Sequence, residues 1–133
     1  MLQFKKPING VDFDVSFTDK VNVFRGSSGT GKTFLFNVIS AYCAKNNISH
    51  AYIDYKTVLT DDIDLILSHC KGKDIVILDN ADLYLTPDLF QSIRDLGCTI
   101  ILSKKTTFGL NMRDAHLYTV DYNGNTLSTR RLS

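Results

Sequence analysis

Residues 26 to 33 read Gly26-Ser27-Ser28-Gly29-Thr30-Gly31-Lys32-Thr33: a glycine, four residues, then Gly-Lys-Thr. No other stretch constrains the chain as much. Its glycines let the backbone take positive φ and come close to an anion. The N–H groups of such a loop turn inward and cradle phosphate oxygens. Lys32 brings a mobile positive charge to the outer phosphates. Thr33 offers a hydroxyl to Mg²⁺, a cation that takes oxygen ligands and keeps several waters. A helix opening at Lys32 adds the positive end of its dipole. The loop needs a buried strand before it and a helix after it. Val21-Asn22-Val23-Phe24 has the first character. Phe34, Leu35, Val38, Ile39 and Tyr42 recur at the spacing of the second. The expected ligand is a nucleoside triphosphate with Mg²⁺. The chain lacks the Asn-Lys-x-Asp pattern that reads guanine, so ATP is expected over GTP.

At 133 residues the chain is expected to form one domain, 1–133, with a core that needs no disulfide or metal. Its net charge of +1 gives no electrostatic case for nucleic acid or a membrane surface. Cys43, Cys70 and Cys98 are odd in number and widely spaced. They read as small buried hydrophobes in a reducing compartment. His50, His69 and His116 show no ligand spacing with them. No apolar run approaches the ~20 residues of a membrane span. The first residues lack the apolar core of a signal peptide, so the expected location is cytoplasmic.

Strand and helix patterns alternate along the chain. Leu2–Lys6 and Val11–Phe17 flank a turn at Ile8-Asn9-Gly10, and Val11, Phe13, Val15 and Phe17 are apolar at period two. A first helix runs from Thr33 to Lys45 and stops at Asn46-Asn47. Ala51–Asp54 reads as a strand. Asp61 or Asp62 caps a helix to about Cys70, with Ile63, Ile66 and Leu67 on one face. Ile75-Val76-Ile77-Leu78 is the solid apolar run of a strand buried on both faces. Thr86 and Pro87 open a helix over about 88–96, and Gly97 closes it. Thr99–Leu102 is another buried strand. His116–Tyr122 and Thr126–Leu132, around Asn123-Gly124, read as a closing hairpin. Strands separated by helices imply a parallel sheet. Ligands on such sheets bind at the carboxyl ends of the strands.

Asp74-Ile75-Val76-Ile77-Leu78-Asp79 is an apolar strand ending in an acid, the Walker B arrangement, in which Asp79 serves the metal. With this motif added to the glycine-rich loop, the chain resembles the P-loop ATPases of the additional-strand division. That group includes ABC-type, AAA+-type and RecA-like proteins. The resemblance implies an α/β, three-layer P-loop NTPase fold with a mainly parallel central sheet, here with an N-terminal and a C-terminal β-hairpin. It implies that Thr99–Leu102 lies between the loop's strand and the Walker B strand. It also implies that a polar residue ending that inserted strand, here Ser103, senses the γ-phosphate. A local turn bond is the alternative role for Ser103. The paired N-terminal strands and closing hairpin look most like ABC-type cores, whereas Leu78-Asp79-Asn80-Ala81-Asp82 looks more like an AAA+ core. No Leu-Ser-Gly-Gly-Gln signature is present. About 30 residues follow the inserted strand, so a minimal core without a helical lid is expected.

The departure from the family pattern is Asn80. Hydrolytic members usually carry Glu there to orient or deprotonate the attacking water. Asn can bind a water but cannot take its proton. Asp82, Asp54 or a partner subunit can supply the missing base. The candidate catalytic set is Lys32, Asp79, Asn80 and Ser103, with Thr33 and Asp79 at the metal. Lys104, Lys105 and Arg113 are candidate γ-phosphate contacts. Phe4, Phe13 and Tyr55 are candidates for stacking on the base. Three functions compete: an ATPase or ATP-driven switch acting with a partner or as an oligomer; a small-molecule or nucleotide kinase with Asp54 at the acceptor; and a non-hydrolysing ATP-binding adaptor or regulator. The kinase reading lacks an Arg-rich lid segment between helices.

Overall fold

A computed structural model describes residues 2–18, 20–25, 31–60, 62–107 and 109–132. Gly26, Ser27, Ser28, Gly29 and Thr30 of the loop, and the candidate cap Asp61, lie outside the described residues. The chain opens with β1 (Gln3–Ile8) and β2 (Val11–Ser16), joined by Asn9-Gly10. Both turn residues have positive φ, 50° and 81°, as a two-residue turn matched to strand twist requires. Next come β3 (Val21–Phe24), α1 (Lys32–Lys45), β4 (His50–Ile53), α2 (Tyr55–Thr60), α3 (Ile63–Cys70) and β5 (Ile75–Leu78). A 3-10 turn at Ala81–Leu83, α4 (Pro87–Arg94), β6 (Thr99–Ser103), β7 (Ala115–Asn123) and β8 (Thr126–Arg131) complete it.

All eight strands form one sheet, in the order β1-β2-β8-β7-β3-β6-β5-β4. The central strands β7, β3, β6, β5 and β4 run parallel. The inserted strand β6 does lie between β3 and β5. The two hairpins are not separate appendages. β8 pairs antiparallel with β7 and parallel with β2, and so joins the N-terminal hairpin to the central sheet.

Helices cover both faces, and strand alternation sorts the side chains between them. On one face α1 buries Leu35, Phe36, Val38, Ile39 and Cys43 against Phe24, Ile75, Ile77, Ile101 and Tyr118. On the other, Ile66 and Cys70 of α3 and Leu89, Phe90 and Ile93 of α4 pack on Val23, Ile53, Val76, Leu78, Ile100 and Leu102. Burial alone pushes the Cys43 thiol up to about 11, consistent with a packing role.

The helix signals hold with small shifts. Asp62 is the cap of α3, accepting from the Leu65 N–H at 2.8 Å. Thr86 caps α4 with Pro87 at its first position. Asn46 ends α1, its side-chain amide and backbone N–H both donating to the Tyr42 carbonyl. Ile63 is exposed rather than packed, and Ile66 carries the burial of α3. The short α2 lies between β4 and α3, where the sequence pattern names no element. Among the described residues, no helix is long and apolar enough to cross a membrane.

Asn22, inside β3, is fully buried. Its carbonyl oxygen accepts from the Thr18 N–H and hydroxyl, both at 3.0 Å. Its amide donates to the carbonyls of Thr18 and Ile100, both at 3.2 Å. One side chain thus fixes the entry to β3 and ties it to β6. Asn22→Ala strands these groups and should cost about 1–3 kcal/mol, read as a lower urea midpoint at unchanged slope. An unchanged midpoint would contradict this role.

Candidate functional site

The carboxyl ends of β3, β6 and β5 are brought level by register. Phe24 pairs with Ser103, and Leu102 pairs with Leu78, so Asp79 emerges beside Ser103. Parity does the rest. Ile75 and Ile77 face α1, hence Asp79 does; Ile101 faces α1, hence Ser103 does; Ala51 and Ile53 face away, hence Tyr52 faces α1. The first turn of α1 brings Thr33 to the same place.

The result is a carboxylate, only 2% exposed, ringed by hydroxyls. Asp79 Oδ2 accepts from Tyr52 Oη at 2.7 Å. Asp79 Oδ1 accepts from Thr33 Oγ1 and from Ser103 Oγ, each at 3.3 Å. Ser103 Oγ in turn accepts from the Asn80 N–H at 2.9 Å. These bonds of Ser103 are not a local turn; they reach across the sheet to the end of β5. Tyr84 Oη donates to the carbonyls of Asp79, at 2.8 Å, and Ile53, at 3.0 Å, pinning the strand ends beneath the site. Sequence reading missed Tyr52 and Tyr84, since neither belongs to a motif.

Lys32 opens α1 behind Gly31, whose φ of 89° is left-handed. Burial lowers the Lys32 pKa, and the charges of Asp82 and then Asp79 act in the opposite direction. Asp82 is thus brought within electrostatic reach of Lys32. Its Oδ2 accepts from the Lys105 N–H at 2.8 Å, and its Oδ1 lies 3.6 Å from Lys104 Nζ. Three lysines and one acid gather beside Asp79, two of those lysines on the chain leaving β6. Arg113 is elsewhere, with its carbonyl bound to the Arg94 guanidinium.

Asn80 is exposed and left-handed, with φ 51° and ψ 46°. Asn tolerates this conformation better than Glu does. The backbone itself thus gives a reason for Asn at this position. Asp54 is engaged locally: its Oδ1 accepts from the Thr57 N–H at 3.1 Å and hydroxyl at 3.3 Å, at the start of α2. Two of the proposed stacking aromatics are unavailable. Phe4 is buried against Tyr42, with ring centroids 4.1 Å apart, and Phe13 is 1% exposed. Tyr55 is exposed but follows β4, at the sheet edge beyond β5.

Thr33 and Asp79 juxtapose a hydroxyl and a buried carboxylate, which suits Mg²⁺ held together with phosphate oxygens and water. Among the described residues, no cluster of three His, Cys, Asp or Glu side chains could hold a metal alone.

No protein-family model matches the chain, and no curated protein matches it in sequence. Solved structures do match in shape. AMPPCP-bound DnaA from Aquifex aeolicus superposes with a TM-score of 0.55 at 18% identity, over 83% of this chain and 43% of that one. A DNA replication initiation factor gives 0.51 at 19% identity, over 71% and 36%. A KaiC-like protein from Pyrococcus horikoshii gives 0.54 at 12% identity, over 87% and 80%. The fold is that of the additional-strand P-loop NTPases. The chain spans less than half the length of the two replication-initiator structures. In this P-loop NTPase fold, β3 is the loop strand, β6 the inserted strand and β5 the strand that ends at Asp79.

Tyr52 tests the hydroxyl ring. Tyr52→Phe leaves one oxygen of a buried carboxylate short of a donor and should cost roughly 1–3 kcal/mol in urea unfolding. Burial first, then the Asp79 hydrogen bond, raises the Tyr52 pKa in the folded protein. An unfolded tyrosine titrates near ~10. The stability tied to Tyr52 is therefore complete below about pH 10 and lost as pH rises beyond it. Tyr52→Phe should flatten that alkaline decline; an unaltered decline would contradict the assignment.

Proposed function

We propose that the chain binds Mg·ATP at the loop between β3 and α1 and works as an ATP-driven switch with slow intrinsic hydrolysis. The observation that carries this reading is the buried Asp79 carboxylate beside Thr33 and Ser103, at the end of a strand flanked by the inserted strand. The Gly26–Thr33 pattern supports phosphate binding, with Lys32 at the outer phosphates. The structural neighbour DnaA was solved with AMPPCP, a ligand of the same class.

In this reading Thr33 and Asp79 serve Mg²⁺, which when bound would neutralise phosphate charge. Ser103 bridges Asp79 to the Asn80 backbone, so a γ-phosphate that drew Ser103 away would disturb both. Asn80 lacks a proton acceptor, which supports slow turnover, about 10²–10⁴-fold below that of a site with a positioned carboxylate. Asp82 lies within electrostatic reach of Lys32 and holds the segment leaving β6, and we assign it as the base for residual hydrolysis. Its hold on Lys104 and Lys105 links that chemistry to the segment leaving β6. Leu83, the next residue, is 69% exposed. This apolar residue next to Asp82 supports action with a protein partner or a second copy. The cytoplasm is the compartment this reading assumes.

Steady-state hydrolysis with Mg²⁺ at high protein concentration tests the reading. Wild type should turn over slowly, Lys32→Ala should bind and turn over nothing, and Asp82→Asn should bind ATP but lose the residual turnover. Asn80→Glu should unfold at lower urea, since Asn tolerates the left-handed backbone at this position better than Glu does. Fast turnover in wild type, or turnover indifferent to Lys32→Ala, would contradict the proposal.

A further inference from the structure

β7 is longer than the strand it pairs with. Its Tyr118 lies opposite Phe24, the last residue of β3, yet β7 continues to Asn123. The overhang is held by β8, from Thr119 opposite Arg130 to Asn123 opposite Thr126. It is braced by an ion pair of 2.6 Å between Arg130 Nε and Asp121. At about 3.3 Å per residue, Tyr122 stands roughly 13 Å past the end of β3. Tyr118 and Val120 belong to the core on the α1 face, so Tyr122 faces the same way. Its ring meets the start of α1. Tyr122 Cε2 lies 3.2 Å, and its hydroxyl 3.4 Å, from where a Cβ on Gly31 would sit. Tyr122 nevertheless remains 55% exposed, although Leu127 opposite it is fully buried.

Sheet order gives this tyrosine a direction. Asp79 and Ser103 stand on β5 and β6, to one side of β3, and Tyr122 stands on β7, to the other. A triphosphate on the Gly31-Lys32-Thr33 corner whose last phosphate faces Asp79 points its nucleoside toward β7. Phe4 and Phe13 are buried, and Tyr55 follows β4, at the sheet edge away from β7. We propose that Tyr122 is the base-stacking platform of the nucleotide site, an inference that rests on the triphosphate reading above. An exposed aromatic residue held on a braced hairpin beside Gly31 can offer π-stacking to a purine. Every base has such a face, so Tyr122 contributes affinity and little choice between adenine and guanine.

Binding of two probes, Mg·ATP and inorganic tripolyphosphate with Mg²⁺, separates the base from the phosphates. Tyr122→Ala should weaken ATP by about 5- to 150-fold and leave tripolyphosphate unchanged. Tyr122→Phe should bind ATP nearly as well as wild type, and thermal melts should show both variants folded. The chain has no tryptophan, so Tyr122→Trp creates a single reporter whose emission ATP, but not tripolyphosphate, should alter. Unchanged ATP affinity in Tyr122→Ala, or an equal loss for both probes, would overturn the assignment. A wild type that binds neither probe would overturn it at its base, the triphosphate site itself.

Discussion

The rest of the structure is organised around one buried carboxylate. Asp79 is shielded from water and held by hydroxyls from α1, β4 and β6. A charge so placed is costly unless its hydrogen bonds are made. Those bonds require three separate crossovers to deliver their strand ends to one point. The insertion of β6 between β3 and β5 does this. With β5 directly beside β3, Ser103 would have no place between Asp79 and the loop. The topology and the site are the same constraint seen at two scales.

Lys32 shows the complementary cost. Burial disfavours its charge, and the acids at 79 and 82 only partly offset that. An arriving polyphosphate would supply the missing negative charge. Asp82 meanwhile pairs with the Lys104 ammonium and accepts from the Lys105 backbone N–H, so one carboxylate holds the segment leaving β6. The lysines at 32, 104 and 105 outnumber the acids at 79 and 82 by one charge, so an anion would meet net positive charge there. A bound anion would compete with Asp82 for the Lys104 ammonium at the exit of β6, which is how the proposed switch would act.

Much of this was legible where the signal is local. Val21–Phe24 and Ile75–Leu78 are strands because both faces are covered, and unbroken apolar runs say so. Thr86-Pro87, Asp62 and Asn9-Gly10 act through bonds within a few residues, so their sequence meaning survives folding. Asp79 and Ser103 were legible through a motif and a strand end. Tyr52 was not: its role depends on the register of β4 against β5, which no local pattern encodes. Tyr122 was hidden for the same reason, since it becomes a neighbour of Gly31 only once β7 overhangs β3. The six-residue α2 has no apolar period, and the Asp54 that caps it was read as a strand end. Asn80 was legible as a departure, but its left-handed backbone, which gives a reason for asparagine there, was not.

The central claim is that Asp79 and Thr33 form a metal-assisted phosphate site with the loop that precedes them. Calorimetric titration of the whole chain with ATP, in the presence of Mg²⁺ and again in excess chelator, tests it most directly. The account predicts saturable one-to-one binding with Mg²⁺ and clearly weaker binding without it. Absence of binding at millimolar ATP with Mg²⁺ present, or affinity indifferent to the metal, would contradict it.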